Sequence, residues 1–93
     1  MPFTLYILEC SNGHYYTGYT SDMKRRYEEH MLGSPKCKYT RSFPPKGIAA
    51  QWEIEGDVSE ALKFERAIKR LSRTEKKALI EEPSMLKSLK TLR

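Results

Sequence analysis

The apolar run FTLYILEC at residues 3–10 constrains the fold more than any other feature of this sequence. Its β-branched, aromatic and aliphatic residues are followed directly by Ser11-Asn12-Gly13, a combination typical of a mostly buried strand that enters a hairpin turn. Residues 14–20 (HYYTGYT) have the composition of a partner strand. The sequence therefore predicts an N-terminal β-hairpin, which the rest of the chain has to bury.

Helix caps and hydrophobic spacing predict the elements that follow the hairpin. A first helix begins at Ser21 or Asp22, both good N-cap residues, and stops near Leu32, because Gly33 suits a left-handed C-terminal cap. Residues 33–46 combine three prolines with four basic residues and show no regular period. We therefore predict a loop over that range.

A third strand and two more helices complete the pattern. Apolar residues alternate with other residues along 48–54, as in a strand. A second helix begins near Asp57, which has capping-box spacing to Glu60, and a third begins at Ser72 and ends before Pro83. The order β-β-α-β-α-α predicts an α+β fold. The apolar stripe of the second helix consists of Ala61, Phe64, Ala67, Ile68 and Leu71.

The size of the chain fits one compact domain, because 93 residues with 39% hydrophobic content can bury a single core. We expect residues 1–83 to form it and residues 84–93 to be a basic amphipathic tail, which either docks as a short helix or frays. No apolar run is long enough to cross a membrane, and Cys10 and Cys37 alone make neither a disulfide framework nor a zinc site. These features predict a soluble cytoplasmic chain with reduced thiols.

Positive charge is concentrated in two blocks of the sequence. The formal net charge is +5, with +4 carried by residues 21–50 and +3 by residues 72–93. Lys and Arg that neutralise phosphates release condensed counterions, so such blocks favour polyanionic partners. Charge alone also fits a basic protein with no nucleic-acid partner.

Two tyrosines of the hairpin, Tyr6 and Tyr16, are the first candidate site residues. With a two-residue turn, Tyr6 pairs with Tyr19 and Tyr16 lies on the opposite face of the sheet. With a three-residue loop and a left-handed Gly13, Tyr6 pairs with Gly18 and both hydroxyls lie on one face. We predict the second register, in which Gly18 leaves space for a ligand. Outside that context both tyrosines are ordinary packing residues.

Three charged or titratable residues on helices are further candidates. Arg26 and His30 are one turn apart on the first helix, where a guanidinium could bind phosphate and an imidazole could accept or relay a proton. The same pair also fits an ordinary solvated face. Glu65 lies at the margin of the apolar stripe, where its carboxylate needs either Lys69 four residues later or a metal ion completed by phosphate and water.

The predicted loop interleaves basic and aromatic side chains, a mixture that suits phosphate contact and base stacking as well as an ordinary solvated loop. His14, beside the turn, is interpreted as structural. The candidate nucleic-acid contacts are Lys24 on the first helix and Lys36, Lys38, Tyr39, Arg41 and Lys46 in the loop.

Taken together, these residues resemble the GIY-YIG nuclease superfamily over nearly the whole chain, from Thr4 to about Ile80, and are most similar to its small, single-domain bacterial branch. The first family triplet corresponds to Thr4-Leu5-Tyr6 and the second to Tyr16-Thr17-Gly18, with three of the six family residues kept. The arginine, histidine and glutamate of the family correspond to Arg26, His30 and Glu65. The asparagine that follows the glutamate in several family members has no match here.

The resemblance implies a three-stranded antiparallel sheet flanked by helices and one-metal hydrolysis of a DNA phosphodiester with Mg²⁺ or Mn²⁺. In that mechanism Tyr6 or Tyr16 helps to deprotonate the attacking water, and His30 accepts or relays the proton. Arg26 stabilises charge on the phosphate, and Glu65 holds the metal. Because a free tyrosine has a pKa of ~10, activity is expected to rise toward alkaline pH.

The resulting prediction is a structure-directed or weakly sequence-specific endonuclease in DNA repair or recombination. Its partner is DNA or RNA, with no membrane and no second domain. The alternative is a non-catalytic DNA- or RNA-binding module on the same fold, which would use residues 36–46. A third hypothesis is an adaptor whose tail at residues 84–93 docks a partner protein.

Overall fold

The computed structural model describes residues 3–33 and 37–86. Within them, the strands β1 (Phe3–Cys10), β2 (Tyr15–Thr20) and β3 (Pro45–Ile54) form one antiparallel sheet in the order β2-β1-β3. The helices are α1 (Met23–Leu32), α2 (Lys38–Ser42), α3 (Val58–Lys69) and α4 (Arg73–Glu81), and a 3-10 turn follows at Pro83–Met85. The predicted α+β fold with a three-stranded antiparallel sheet flanked by helices is confirmed.

The central strand β1 is covered on both faces, which explains its continuous apolar run. Successive side chains of a strand point to opposite faces. Leu5 and Ile7 belong to the core cluster on one face, which includes Ile68 of α3 and Leu79 of α4. Tyr6, on the other face, contacts α1. The sheet thus separates the main core from a second set of buried side chains that includes polar groups.

The hairpin has the predicted register. Tyr6 pairs with Gly18, and Leu8 pairs with Tyr16. The loop contains three residues, and Gly13 is left-handed with φ 83. Tyr6 and Tyr16 therefore extend from the same face of the sheet, as the longer loop requires.

Both ends of α1 and the start of α4 follow their predicted caps. The Asp22 side chain accepts a hydrogen bond from the Arg25 N–H, and Gly33 ends α1 with φ 71. Ser72 and Glu75 form a reciprocal capping box at the start of α4, which ends before Pro83 as predicted. These local hydrogen bonds satisfy terminal backbone groups and so determine where each helix begins.

The prediction of a loop over residues 33–46 is wrong in part, because residues 38–42 form α2. This five-residue helix is too short for a hydrophobic period, and its tertiary contacts, described below, stabilise it. The alternation predicted along 48–54 also fails at one end. A bulge skips Ala49, so that Ala50 pairs with Ile7 while Ile48 pairs with Leu8, and Ile48 is 42% exposed.

The described chain ends with a short anchored segment. Leu86 is buried, and the Trp52 indole N–H donates to the Pro83 carbonyl oxygen at 2.9 Å. The prediction for the tail at residues 84–93 lies mostly outside the described residues, since only 84–86 are included. Among the helices in the described ranges, none has the length and hydropathy needed to cross a bilayer.

Candidate active site

A buried hydrogen bond joins the sheet to α1. The Tyr6 hydroxyl and the His30 Nε2 atom are 2.9 Å apart, and the two residues are 1% and 0% exposed. Tyr6 reaches the imidazole because its ring lies over Gly18, where an added Cβ would be 2.5 Å from the Tyr6 hydroxyl. Gly18 is therefore required for the position of Tyr6. The space above Gly18, which we predicted to be open for a ligand, is filled by the Tyr6 ring.

The second nitrogen of His30 is bound by a residue that the sequence analysis missed. His30 Nδ1 lies 2.7 Å from Thr40 Oγ1, and the Thr40 hydroxyl donates to the Cys37 carbonyl oxygen at 3.3 Å. Since the hydroxyl has a single hydrogen, it accepts from the His30 Nδ1–H. Nε2 is then unprotonated and accepts the Tyr6 O–H. Tyr6, His30 and Thr40 form a buried chain of hydrogen bonds, called the relay below.

Both titratable members of the relay are neutral at physiological pH. Burial, which is the largest cause, and the Arg26 charge together lower the pKa of His30 to about 4, while Glu29 opposes the shift. Burial raises the pKa of Tyr6 to about 12, and Arg26 opposes that rise only in part. The phenol is therefore a hydrogen-bond donor, and the imidazole is a proton acceptor with no charge of its own.

Arg26 lies beside the relay and is partly open to solvent. Its side chain is 27% exposed, and its Nη1 atom is 3.1 Å from Glu29 Oε1. Its charge acts on the pKa values of Tyr6, Tyr16 and His30. Because a guanidinium has five donor hydrogens, the contact with Glu29 leaves others for a phosphate.

A row of three aromatic side chains leads from the relay to the surface. The Tyr16 ring meets the His30 ring edge-on, with centroids 5.2 Å apart, and stacks on Tyr39 at 5.8 Å with an interplanar angle of 17°. Tyr39 in turn contacts Phe43 at 5.4 Å, and Phe43 is 39% exposed. Asn12 fixes Tyr39 by donating to its hydroxyl at 3.0 Å. Tyr16, Tyr39 and Phe43 are called the aromatic row below.

Glu65 has the ion-pair partner that was one of the two alternatives for it, and it lies near the aromatic row. It forms an ion pair with Lys69 at 3.5 Å, and its side chain is only 15% exposed. Burial raises the pKa of Tyr16, and the Glu65 carboxylate adds to that rise, so α3 brings a negative charge close to the aromatic row. Tyr6, Tyr16, Arg26 and His30 thus lie together, and the Glu65 carboxylate acts on Tyr16.

The carboxylate, imidazole and thiol groups of the described residues limit which divalent cation the site can hold. In residues 3–33 and 37–86, no group of three or more His, Cys, Asp or Glu side chains is arranged to hold a metal ion. A single partly buried carboxylate at Glu65 fits only a cation such as Mg²⁺ that keeps several waters and binds substrate phosphate oxygens. The site fits that type of ion and excludes a closed, all-protein metal cage.

Of the predicted nucleic-acid contacts that the structure describes, the basic residues lie on the surface and Tyr39 belongs to the aromatic row. Arg41 packs its aliphatic stem near Gly33, and Lys46 is 3.9 Å from Glu9. Lys36 lies outside the described residues. The exposed basic residues of the set are Lys24, Lys38, Arg41 and Lys46.

The chain is similar to known proteins along most of its length. A family model described as "GIY-YIG catalytic domain" matches residues 2–78. A UPF0213 protein of Halobacterium salinarum is 45% identical over 75 residues, which cover 81% of this chain and 95% of that protein. A UPF0213 protein of Cupriavidus necator is 49% identical over 74 residues, with 80% and 78% coverage. The solution NMR structure of UPF0213 protein BH0048 from Bacillus halodurans aligns with a TM-score of 0.56 at 41% identity, covering 87% of this chain and 84% of that one.

Proposed function

This chain belongs to the GIY-YIG catalytic domain family, and on that premise we propose that it is a metal-dependent endonuclease that hydrolyses DNA phosphodiester bonds. One observation carries the proposal: the buried relay of Tyr6, His30 and Thr40 ends beside the partly exposed guanidinium of Arg26. A proton acceptor with no competing charge next to a phosphate-binding group is the arrangement that phosphodiester hydrolysis needs.

The relay gives the proton of the attacking water a complete path. Tyr6 takes that proton at its oxygen while it passes its own hydrogen to His30 Nε2, and Nδ1–H stays bound to Thr40. Tyr6 therefore never becomes a free phenolate, which a pKa of about 12 would make rare. This path favours Tyr6 over Tyr16 as the proton acceptor, because Tyr16 contacts the imidazole only through its ring. Activity then does not have to follow tyrosine ionisation toward alkaline pH.

Arg26 serves binding and charge balance in this scheme. It binds a nonbridging oxygen of the scissile phosphate and so places the phosphorus near Tyr6. The imidazolium formed at His30 would repel the Arg26 guanidinium in the free protein, as the lowered pKa of His30 indicates. The negative charge of the bound phosphate offsets that repulsion, so substrate binding favours proton transfer to His30.

Glu65 is the residue that would hold Mg²⁺ or Mn²⁺. When bound, such an ion supplies a Lewis acid that stabilises negative charge on the leaving oxygen. Lys69 compensates the Glu65 carboxylate through the ion pair. The Lys69 side chain is 56% exposed, so this ion pair contributes little free energy. Replacing Lys69 by a hydrated cation as the partner of Glu65 therefore costs little.

The surface around the relay favours substrates with accessible bases. The aromatic row offers stacking faces, and Lys24, Lys38 and Arg41 offer phosphate contacts. Stacking and phosphate contacts tolerate any sequence. We therefore assign weak sequence specificity and a preference for branched or partly single-stranded DNA, as in repair or recombination.

The decisive experiment incubates the purified protein with labelled single-stranded, duplex and branched DNA in Mg²⁺, Mn²⁺ or EDTA. We expect nicking with either metal and none with EDTA. Tyr6→Phe and Glu65→Gln should each lower the nicking rate by about 100-fold or more while DNA binding survives.

Matched controls are available on two other elements, α1 and β3. Tyr27→Phe removes a hydroxyl from a half-buried tyrosine of α1, and Glu53→Gln neutralises an exposed carboxylate of β3. Both should cleave at the wild-type rate. Strong DNA binding without metal-dependent cleavage of any substrate would reject the nuclease and favour the non-catalytic binding module.

A further inference from the structure

A second basic cleft lies next to the hairpin turn, on the side of β2 away from the relay. Tyr15 and Tyr16 are consecutive residues of β2, so their side chains point to opposite faces of the sheet. Tyr16 belongs to the aromatic row, whereas Tyr15 lines a cavity of about 310 Å³ together with His14, Arg73 and Lys76. This cavity is called the hairpin cleft below.

The cationic groups of the hairpin cleft are held in place but are not neutralised. The Arg73 guanidinium lies over the Tyr15 ring at 5.8 Å, and its Nη2 atom is near Gly13. Among the described residues, neither Arg73 nor Lys76 forms an ion pair with a carboxylate. The Glu75 carboxylate on the same helix is directed toward Ser72, whose N–H donates to it in the capping box, and it does not line the cleft. Two uncompensated cations in one concave site favour an anionic ligand.

We propose that the hairpin cleft binds a backbone phosphate of the DNA substrate, in a segment beyond the one bound at the relay. The identity of the ligand as DNA rests on the proposed function. The affinity for a phosphate group rests on the cationic residues of the cleft itself. Because the two sites are on the two sides of one edge strand, a single DNA strand that passes around β2 contacts both. This assigns a role to Arg73 and Lys76, which begin the second basic block of the sequence.

The test measures binding of labelled single-stranded DNA in EDTA, so that cleavage does not interfere and failure of the catalytic proposal leaves this experiment intact. The double variant Arg73→Gln with Lys76→Gln should bind about 10-fold more weakly. Its plot of log K against log salt should be shallower by about 0.7, since losing one phosphate contact removes about that much from the slope for single-stranded DNA. The matched control is Arg70→Gln with Lys77→Gln, which neutralises two exposed residues outside the cleft.

Two further variants make the result specific. Arg73→Lys with Lys76→Arg keeps both charges and should restore most of the affinity, which separates a lost phosphate contact from a lost fold. Titration of the wild type with a mononucleotide in place of DNA should give only weak, unsaturated binding. Equal losses in the cleft variant and its control, an unchanged salt slope, or tight mononucleotide binding at the cleft would each overturn the proposal.

Discussion

At the scale of single residues, His30 shows how burial selects one protonation state. Its ring is fully buried, yet both ring nitrogens have hydrogen-bonding partners. A neutral imidazole satisfies both partners, whereas an imidazolium would leave the Tyr6 hydroxyl facing a second donor and would lie beside Arg26. The histidine is therefore bound as a neutral acceptor, and this state has a consequence for stability.

Acid should destabilise the protein through His30. The pKa is 6.5 in the unfolded chain and about 4 in the folded protein. Between those values the unfolded state binds the proton and the folded state does not, so stability falls as pH falls from about 6.5 to about 4. The expected loss from this group is about 3 kcal/mol. Urea unfolding at several pH values measures it.

His30→Gln is the reference for that experiment, because it keeps polar atoms at the position but does not titrate. Its stability should be lower at neutral pH and less sensitive to acid over the same interval. If the free energies of unfolding of the wild type and of His30→Gln changed in parallel with pH, the lowered pKa of His30 would be wrong.

The relay should also depend on the Thr40 hydroxyl. Thr40→Val keeps the shape of the side chain but leaves the His30 Nδ1–H without an acceptor, so the imidazole loses its tautomer preference. We expect about a 10-fold fall in kcat with little change in KM. Thr40→Ser should restore the rate, and the ¹⁵N shifts of His30 should report the change of tautomer in Thr40→Val only.

Thr17→Val is the matched control, since the Thr17 hydroxyl is buried and has no hydrogen-bond partner in the described part of the chain. Removing an unsatisfied hydroxyl should leave activity unchanged and stability equal or higher by about 1 kcal/mol. If Thr40→Val cleaved as fast as Thr17→Val, the positioning role of Thr40 would be wrong.

The sequence pointed to the titratable residues of the site but not to the hydroxyl of Thr40. Helical spacing alone puts Arg26 and His30 on one face, and the loop length alone aligns Tyr6 with Tyr16. Thr40 could not be found in this way, because the contact joins two segments ten residues apart through a helix with no hydrophobic period. The burial of His30 was equally hidden, since its neighbours on α1 are those of a solvated helix face.

At the scale of elements, the hairpin depends on one close approach between strands. The Tyr6 ring occupies the space that a Cβ on Gly18 would need, and the same ring supplies the hydroxyl of the relay. The register was predictable because a three-residue loop with a left-handed glycine allows only one pairing. The β3 bulge was not, because nothing in the alternation along 48–54 marks Ala49 as the skipped residue.

Gly18→Ala should therefore damage both folding and function. The added methyl forces the Tyr6 ring to move, with a cost of about 1–3 kcal/mol and loss of the hydrogen bond to His30. Gly47→Ala is the control on β3, because nothing lies within 4 Å of the position its Cβ would take. Thermal unfolding compares the two, and equal melting temperatures would show that the close approach is unimportant.

At the scale of the whole molecule, Arg26 of the first basic block and Arg73 and Lys76 of the second lie on opposite sides of the edge strand β2. The block at residues 21–50 includes Arg26 and the exposed residues of α1 and α2, and the block at residues 72–93 supplies the hairpin cleft through α4. The charge blocks were visible in the sequence, but their arrangement was not, because it depends on how α4 packs beside the hairpin turn. The fold thus brings cations from two separate parts of the sequence to one edge strand, where a single polyanion can contact both.

Binding of DNA should therefore be steeply salt-dependent and separable from catalysis. In EDTA, log K should fall linearly with log salt, with a slope of about −3 to −5 for the basic contacts proposed here. Lys38→Gln should make the slope shallower by about 1, because this exposed lysine of α2 lies beside the aromatic row. Lys63→Gln should leave it unchanged, since Lys63 pairs with Glu60 at 3.5 Å. Tyr6→Phe should keep the wild-type slope even as cleavage is lost, and a slope near zero for the wild type would exclude phosphate contacts as the basis of binding.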